Sequence, residues 1–144
     1  MALTQSRIEQ VIESRLGGFV AQVREITGDP SRPSILESAS WAMRKLGYTV
    51  ASVTDVTDAE AGEVRDADID VFLDLTELKT LKSLPGNLPA VDVTVGPQAI
   101  KMSGLLKALE DMIARRTSEV QAEHGWRIPG VLSGTRRKAR IIYP

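Results

Sequence analysis

The chain of 144 residues contains no cysteine. This excludes a disulfide framework, a thiolate nucleophile and a zinc–thiolate site. His124 is the only histidine, so one chain cannot build a metal site from a histidine pair, and a Ser-His-Asp triad is disfavoured. Aromatic residues make up only 4%: Phe19, Phe72, Trp41, Trp126, Tyr48 and Tyr143. That is too few for an aromatic-rich β-sandwich or for a single-strand binder that stacks bases on rings. No apolar run approaches the ~18 residues needed to cross a bilayer. The segment Met1 to Gln10 is polar and lacks the apolar core of a signal peptide. These absences predict a protein of the reducing cytoplasm, or of a particle assembled there, with no membrane partner and no cofactor.

What is present fits one domain. The apolar fraction is 42%, enough for one core, and the formal net charge is −1. That near-neutral total hides a division. Residues 126–144 hold no acid and five bases: Arg127, Arg136, Arg137, Lys138 and Arg140. Residues 1–125 are left with thirteen bases against nineteen acids, a net of −6.

The acidic part has helical periodicity. Ile8, Val11, Ile12, Leu16, Phe19, Val23 and Ile26 recur three and four residues apart. Gly17-Gly18 interrupts this stripe, so either one helix bends there or two helices meet. Ser34 to Glu37 has the form of a capping box, followed by Ile35, Ala39, Ala42, Met43 and Leu46 on one stripe, with a stop at Gly47. Residues 48–56 are assigned to an extended loop in preference to a strand. Thr57 to Glu60 is a second capping-box pattern, opening a short helix that ends near Val64. Ile69, Phe72, Leu75, Leu78 and Leu81, widened by Val71, Leu73 and Leu84, predict the most buried helix, ending before Pro85. Val91 to Val95 alternates strictly and predicts a short strand or extended arm. Leu105, Leu106, Leu109, Met112, Ile113 and Val120 predict a last long helix closed by Gly125, with Glu110 and Asp111 supporting Arg115 and Arg116 on its solvent side. The fold class is therefore mainly α: a small helical bundle over 1–125, a short extended segment near 91–95, and an extended basic arm over 126–144.

Few motifs carry chemistry. Asp66, Asp68, Asp70, Asp74 and Glu77 approach the spacing of an EF-hand calcium loop. Val71 occupies the position that requires glycine, and Phe72 and Leu75 belong to the helical face, so the acids are read as a helix start favoured by the dipole. Gly130 to Thr135 lacks the Lys-Ser/Thr ending of a phosphate loop and is read as a linker. No carboxylate pair is singled out for acid–base work, and His124 is placed at a helix C-terminus without a catalytic role. The chain is not read as an enzyme.

Two features point to assembly. Trp41 projects away from most of the apolar stripe of its helix, either onto a second packing face or into a contact between subunits. The basic arm ends in Ile141, Ile142 and Tyr143, a pattern suited to docking along an acidic protein groove, with an apolar end entering a pocket or adding a strand. The alternative is a small helical nucleic-acid-binding regulator whose tail neutralises phosphates.

The order of elements resembles a known family. An N-terminal helix pair precedes Ser38-Ala39-Ser40-Trp41-Ala42-Met43-Arg44-Lys45-Leu46-Gly47-Tyr48. Asp70 to Leu78, Val91-Asp92-Val93-Thr94-Val95-Gly96-Pro97 and a long helix ending Glu123-His124-Gly125 follow. Over residues 5–125 this resembles the head–tail connector (adaptor) proteins of tailed bacteriophages, related prophages and gene-transfer particles. The resemblance implies a structural virion protein of the neck. It implies a homo-oligomeric ring, usually twelve-fold, below the portal, which extends the DNA channel and offers a platform to a stopper or tail terminator. DNA is then only a passing cargo. By the same analogy residues 126–144 are the portal-binding arm, with Arg127, Arg136, Arg137, Lys138, Arg140, Ile141, Ile142 and Tyr143 at the contact. Trp41, Val91, Val93 and Val95 are the candidate residues between subunits. The segment Val91–Val95 pairs either with a neighbouring subunit or within its own chain.

Overall fold

A computed structural model describes residues 2–87 and 97–125, with side chains described for 2–86 and 104–125. The described part is a bundle of six α-helices. α1 spans Gln5–Leu16, α2 Phe19–Thr27, α3 Ile35–Lys45, α4 Asp58–Gly62, α5 Ile69–Asn87 and α6 Pro97–His124. A single 3-10 turn, Asp66–Asp68, leads into α5.

Local chemistry sets the boundaries. Thr4 caps α1 by accepting from the Arg7 amide at 3.2 Å. The stripe that crosses Gly17-Gly18 divides into two helices. Gly17 takes φ 58° and ψ −130°, a conformation closed to residues with a Cβ, so the chain turns there and α2 starts afresh. Ser34 Oγ accepts from the Glu37 amide at 3.3 Å, so the Ser34 half of the expected box forms. At α4 both halves form: Thr57 Oγ1 accepts from the Glu60 amide and Glu60 accepts from the Thr57 amide. Residues 48–56 are loop, as the sequence predicts.

α5 is the axis of the bundle. It packs against α1, α2, α3 and α6, and buries Val71, Phe72, Leu73, Leu75, Leu78, Leu81 and Leu84. Each such side chain contributes roughly 1.5–3 kcal/mol when fully enclosed. Thr76 and Thr80 are also buried, and each hydroxyl donates to the carbonyl four residues back, Phe72 and Thr76 respectively. The end predicted before Pro85 is corrected: α5 continues through Pro85 to Asn87. A proline in the last turn forfeits a single N–H bond, and the buried Leu81 and Leu84 hold that turn against the core.

α6, with 28 residues, is about 42 Å long at 1.5 Å per residue. Its main neighbour is α5. The expected extended segment 91–95 and the arm 126–144 lie outside the described residues. No helix among the described residues is long and apolar enough to cross a membrane.

Candidate functional site

Three helices place charged groups at one enclosed point. Arg15 comes from the last turn of α1, Asp74 and Glu77 from α5, and Arg116 and His124 from α6. Arg15 Nη1 lies 2.8 Å from Asp74 Oδ1 and 3.2 Å from Glu77 Oε1. Arg116 donates from Nε to Glu77 Oε2 at 2.9 Å and from Nη2 to Glu77 Oε1 at 3.1 Å. His124 Nε2 sits 2.8 Å from Asp74 Oδ2. The Glu77 side chain is only 4% exposed, and these guanidinium partners offset the cost of taking it out of water. Burial works against the Arg116 cation. Hydrogen bonds to Glu119 and Glu77, with the charges of Glu77 and Asp74, outweigh it and raise its pKa above the ordinary arginine value.

This arrangement corrects the placement of Arg116 on the solvent side. Its side chain turns inward to α5, while Arg115 stays exposed. The calcium-loop reading of the acids also finds no support. Asp74 and Glu77 lie in mid-helix, and Asp68 accepts from the Tyr48 hydroxyl at 2.6 Å and lies 3.2 Å from Arg65 Nη2. The Tyr48 hydroxyl in turn accepts from Arg65 Nε, and this bond heads the contacts that raise the Arg65 pKa.

The network opens onto a groove of about 540 Å³ whose rim includes Asp70, Met112 and Glu123. Donor atoms of Asp74, Glu123 and His124 lie within 4.8 Å of one another, the spacing of a metal site. The chemistry fits a cation poorly, because both Asp74 oxygens already face Arg15 and His124, and two guanidiniums stand beside the carboxylate. A clamp holding α1, α5 and α6 together accounts for these contacts.

A second groove, of about 520 Å³, lies between α3, α5 and the loops that flank α3. Trp41, Arg32, Arg44 and Lys79 line it, with Glu37 as the one acid among the described residues. Lys79 Nζ stands 5.0 Å above the Trp41 ring, a cation–π contact worth roughly 0.5–1 kcal/mol at a surface. Burial first, and then the Lys79 charge, lower the pKa of nearby Lys82. Val53, the exposed large apolar residue of the described part, also borders this groove at 63% exposure. Trp41 packs on the core cluster, the second packing face of the two alternatives, and also lines this groove.

The α6 flank is only partly buried among the described residues. Leu109 and Val120 are buried, but Leu105, Leu106, Met112 and Ile113 are only half-buried. A third groove, about 440 Å³, runs between α2 and α6 past Phe19, Ile26 and Leu105.

Of the candidate residues from the sequence, Trp41 is thus placed. Val91, Val93, Val95, Arg127, Arg136, Arg137, Lys138, Arg140, Ile141, Ile142 and Tyr143 lie outside the described residues. The buried charge network was not anticipated, though a signal for it exists. Leu109, Ile113, Arg116, Val120 and His124 continue one stripe with spacings of three and four, so Arg116 and His124 belong to the apolar face. Asp70, Asp74 and Glu77 form the matching stripe on α5. Compared with known protein families, curated proteins and solved structures, the chain matches none of them.

Proposed function

We propose that this chain is a structural subunit of a phage-type neck: a head–tail connector that forms a ring, usually twelve-fold in such assemblies, below the portal. It extends the DNA channel and carries the stopper or tail terminator. The observation that carries this reading is the α6 flank. A helix of 28 residues leaves Leu105, Leu106, Met112 and Ile113 only partly buried against the core, as expected of a subunit whose neighbours complete its burial. The charge division supports it. A body with a net charge of −6 repels a passing DNA duplex, while the five bases of residues 126–144 suit an acidic portal surface. In this reading the protein works by binding and positioning, not by catalysis.

The test is decoration of purified portal rings, seen by electron microscopy. The full chain adds a ring of density below the portal. Deleting residues 126–144 abolishes decoration while circular dichroism still reports a helical body. Undiminished decoration by the truncated chain refutes the arm's role, and no decoration by the full chain refutes the connector reading. DNA binding that weakens steeply with salt, without portal decoration, favours the nucleic-acid regulator instead.

A further inference from the structure

We infer that the basic Trp41–Lys79 groove and the acidic Asp70–Glu123 groove are the two halves of one contact, made head-to-tail between successive copies of this chain. This rests on the ring reading above and names the surfaces that close it.

The argument starts from α5, which contributes to both grooves. At about 100° per residue, Lys79 lies roughly 140–200° around the helix from Asp70, Asp74 and Glu77. The two grooves therefore open on opposite sides of the axial helix and cannot meet within one subunit. Their charges are opposite. Arg32, Arg44 and Lys79 against Glu37 leave the first groove with a net of +2. Asp70, Asp74, Glu77 and Glu123 against Arg15 and Arg116 leave the second with a net of −2.

Complementary patches on opposite faces of one molecule define a heterologous contact, the kind that propagates and closes into rings. An isologous dimer would instead set each groove against its own copy, cation on cation or acid on acid. Chemical detail agrees. Asp74 and Glu77 are tied up by Arg15 and Arg116, so the outward charge of the acidic groove comes from exposed Asp70 and Glu123. Opposite them stand the Lys79 ammonium, the exposed Arg44 and the Trp41 ring. Tryptophan and arginine are the residues that most often carry the energy of such contacts.

The absence of native cysteine makes this contact directly readable. One variant carries Val53→Cys at the basic groove and another Met112→Cys at the acidic groove. The two are mixed at low salt with a short bis-maleimide, both free at high concentration and on portal rings. The expected product is the mixed dimer, mapped by peptide mass spectrometry, with little cross-linking of either variant to itself. Lys79→Glu in the Val53→Cys chain lowers the mixed product about tenfold or more, because like charges then face each other. Arg44→Glu, also at an exposed position, does the same. Asp70→Lys with Glu123→Lys in the opposing chain restores the product lost to Lys79→Glu.

Self-linked dimers as abundant as mixed ones, or a mixed product indifferent to Lys79→Glu, overturn the contact. Rings on the portal that survive both reversals overturn it while leaving the connector reading intact. Mixed dimers that form although no portal is decorated sustain the contact and remove the connector reading.

Discussion

Arg116 grips Glu77 with two parallel bonds, Nε to Oε2 at 2.9 Å and Nη2 to Oε1 at 3.1 Å, and so ties α6 to the axis of the bundle. A bidentate guanidinium–carboxylate pair fixes orientation as well as charge. Removing the acid leaves two cations, Arg15 and Arg116, with only Asp74 of the two acids they share. Loss of one member of a buried pair costs about 3–5 kcal/mol. The guanidiniums here are 35% and 22% exposed, and water recovers part of that. Glu77→Gln is therefore expected to cost about 2–3 kcal/mol, read as a lower urea midpoint at constant slope. Glu119→Gln, whose side chain is 49% exposed, should cost no more than about 0.5 kcal/mol. Equal losses for the two variants would show that the enclosed pair is no stronger than the surface one.

The sequence made the helices legible because their apolar stripes are strong and their ends are chemically marked. Thr57 to Glu60 forms the expected box, and the break at Gly17-Gly18 falls between two helices. The direction of Arg116 was harder to read. Asp111 lies one turn before its neighbour Arg115 and suggests a solvent-side pair, but Glu110 and Asp111 are six and five residues from Arg116, and Glu77 takes it because burial removes the competition from water. Local spacing identifies which residues share a face of α6. It does not say which helix covers that face, and the charge network depends on that second fact. The two charged grooves share this dependence, since they are assembled from α1, α5 and α6 on one side and from α3, α5 and loops on the other.

The adjacent glycines at the α1–α2 junction should respond oppositely to alanine. Gly17 has φ 58°, where a Cβ is strained whatever the space around it. Gly17→Ala is expected to destabilise by about 1–3 kcal/mol. Gly18 has φ −81° and ψ −6°, and an added Cβ meets only Gln22 Nε2 at 3.9 Å. Gly18→Ala should be neutral or stabilise by up to about 1 kcal/mol, by restricting the unfolded chain. Thermal or urea unfolding of the two single variants decides this, and similar effects of the same sign would contradict the assigned backbone.

Acid stability should carry a signature of Glu60. Its carboxylate accepts from the Thr57 amide at 3.0 Å and from the Ala51 amide at 2.8 Å. These bonds, led by the one from Thr57, hold its folded pKa below the ordinary 4.5. A depressed folded pKa means that the contribution is complete above the unfolded value. It is lost as pH falls through the folded one. Glu60→Gln should thus be less stable than the native chain at neutral pH. The difference should shrink as pH drops below about 4.5. Asp29, lowered by hydrogen bonds from the Ser31 hydroxyl and amide, acts in the same direction, so the acid limb of the variant flattens without vanishing. A gap between native and variant stability that stays constant from pH 7 to about pH 3 would contradict this assignment.

Calcium provides the sharpest check on how the acidic cluster is used. The spacing from Asp66 to Glu77 invites a cation, but the structure commits its oxygens elsewhere. Asp68 is held by Tyr48 and Arg65, Asp74 by Arg15 and His124, and Glu77 by Arg15 and Arg116. A calcium ion would have to displace guanidiniums from a helix already packed on both sides. A site with a dissociation constant of about 10 μM would, at 1 mM calcium, stabilise the fold by about 2.7 kcal/mol. For a domain of this size that raises Tm by roughly 6 °C or more. The expected shift is less than about 1 °C, and the same is expected on adding a chelator. A rise of several degrees that Asp74→Asn abolishes would mean that the ion pairs open to admit the metal, and that the clamp is instead a calcium site closed by arginine in its absence.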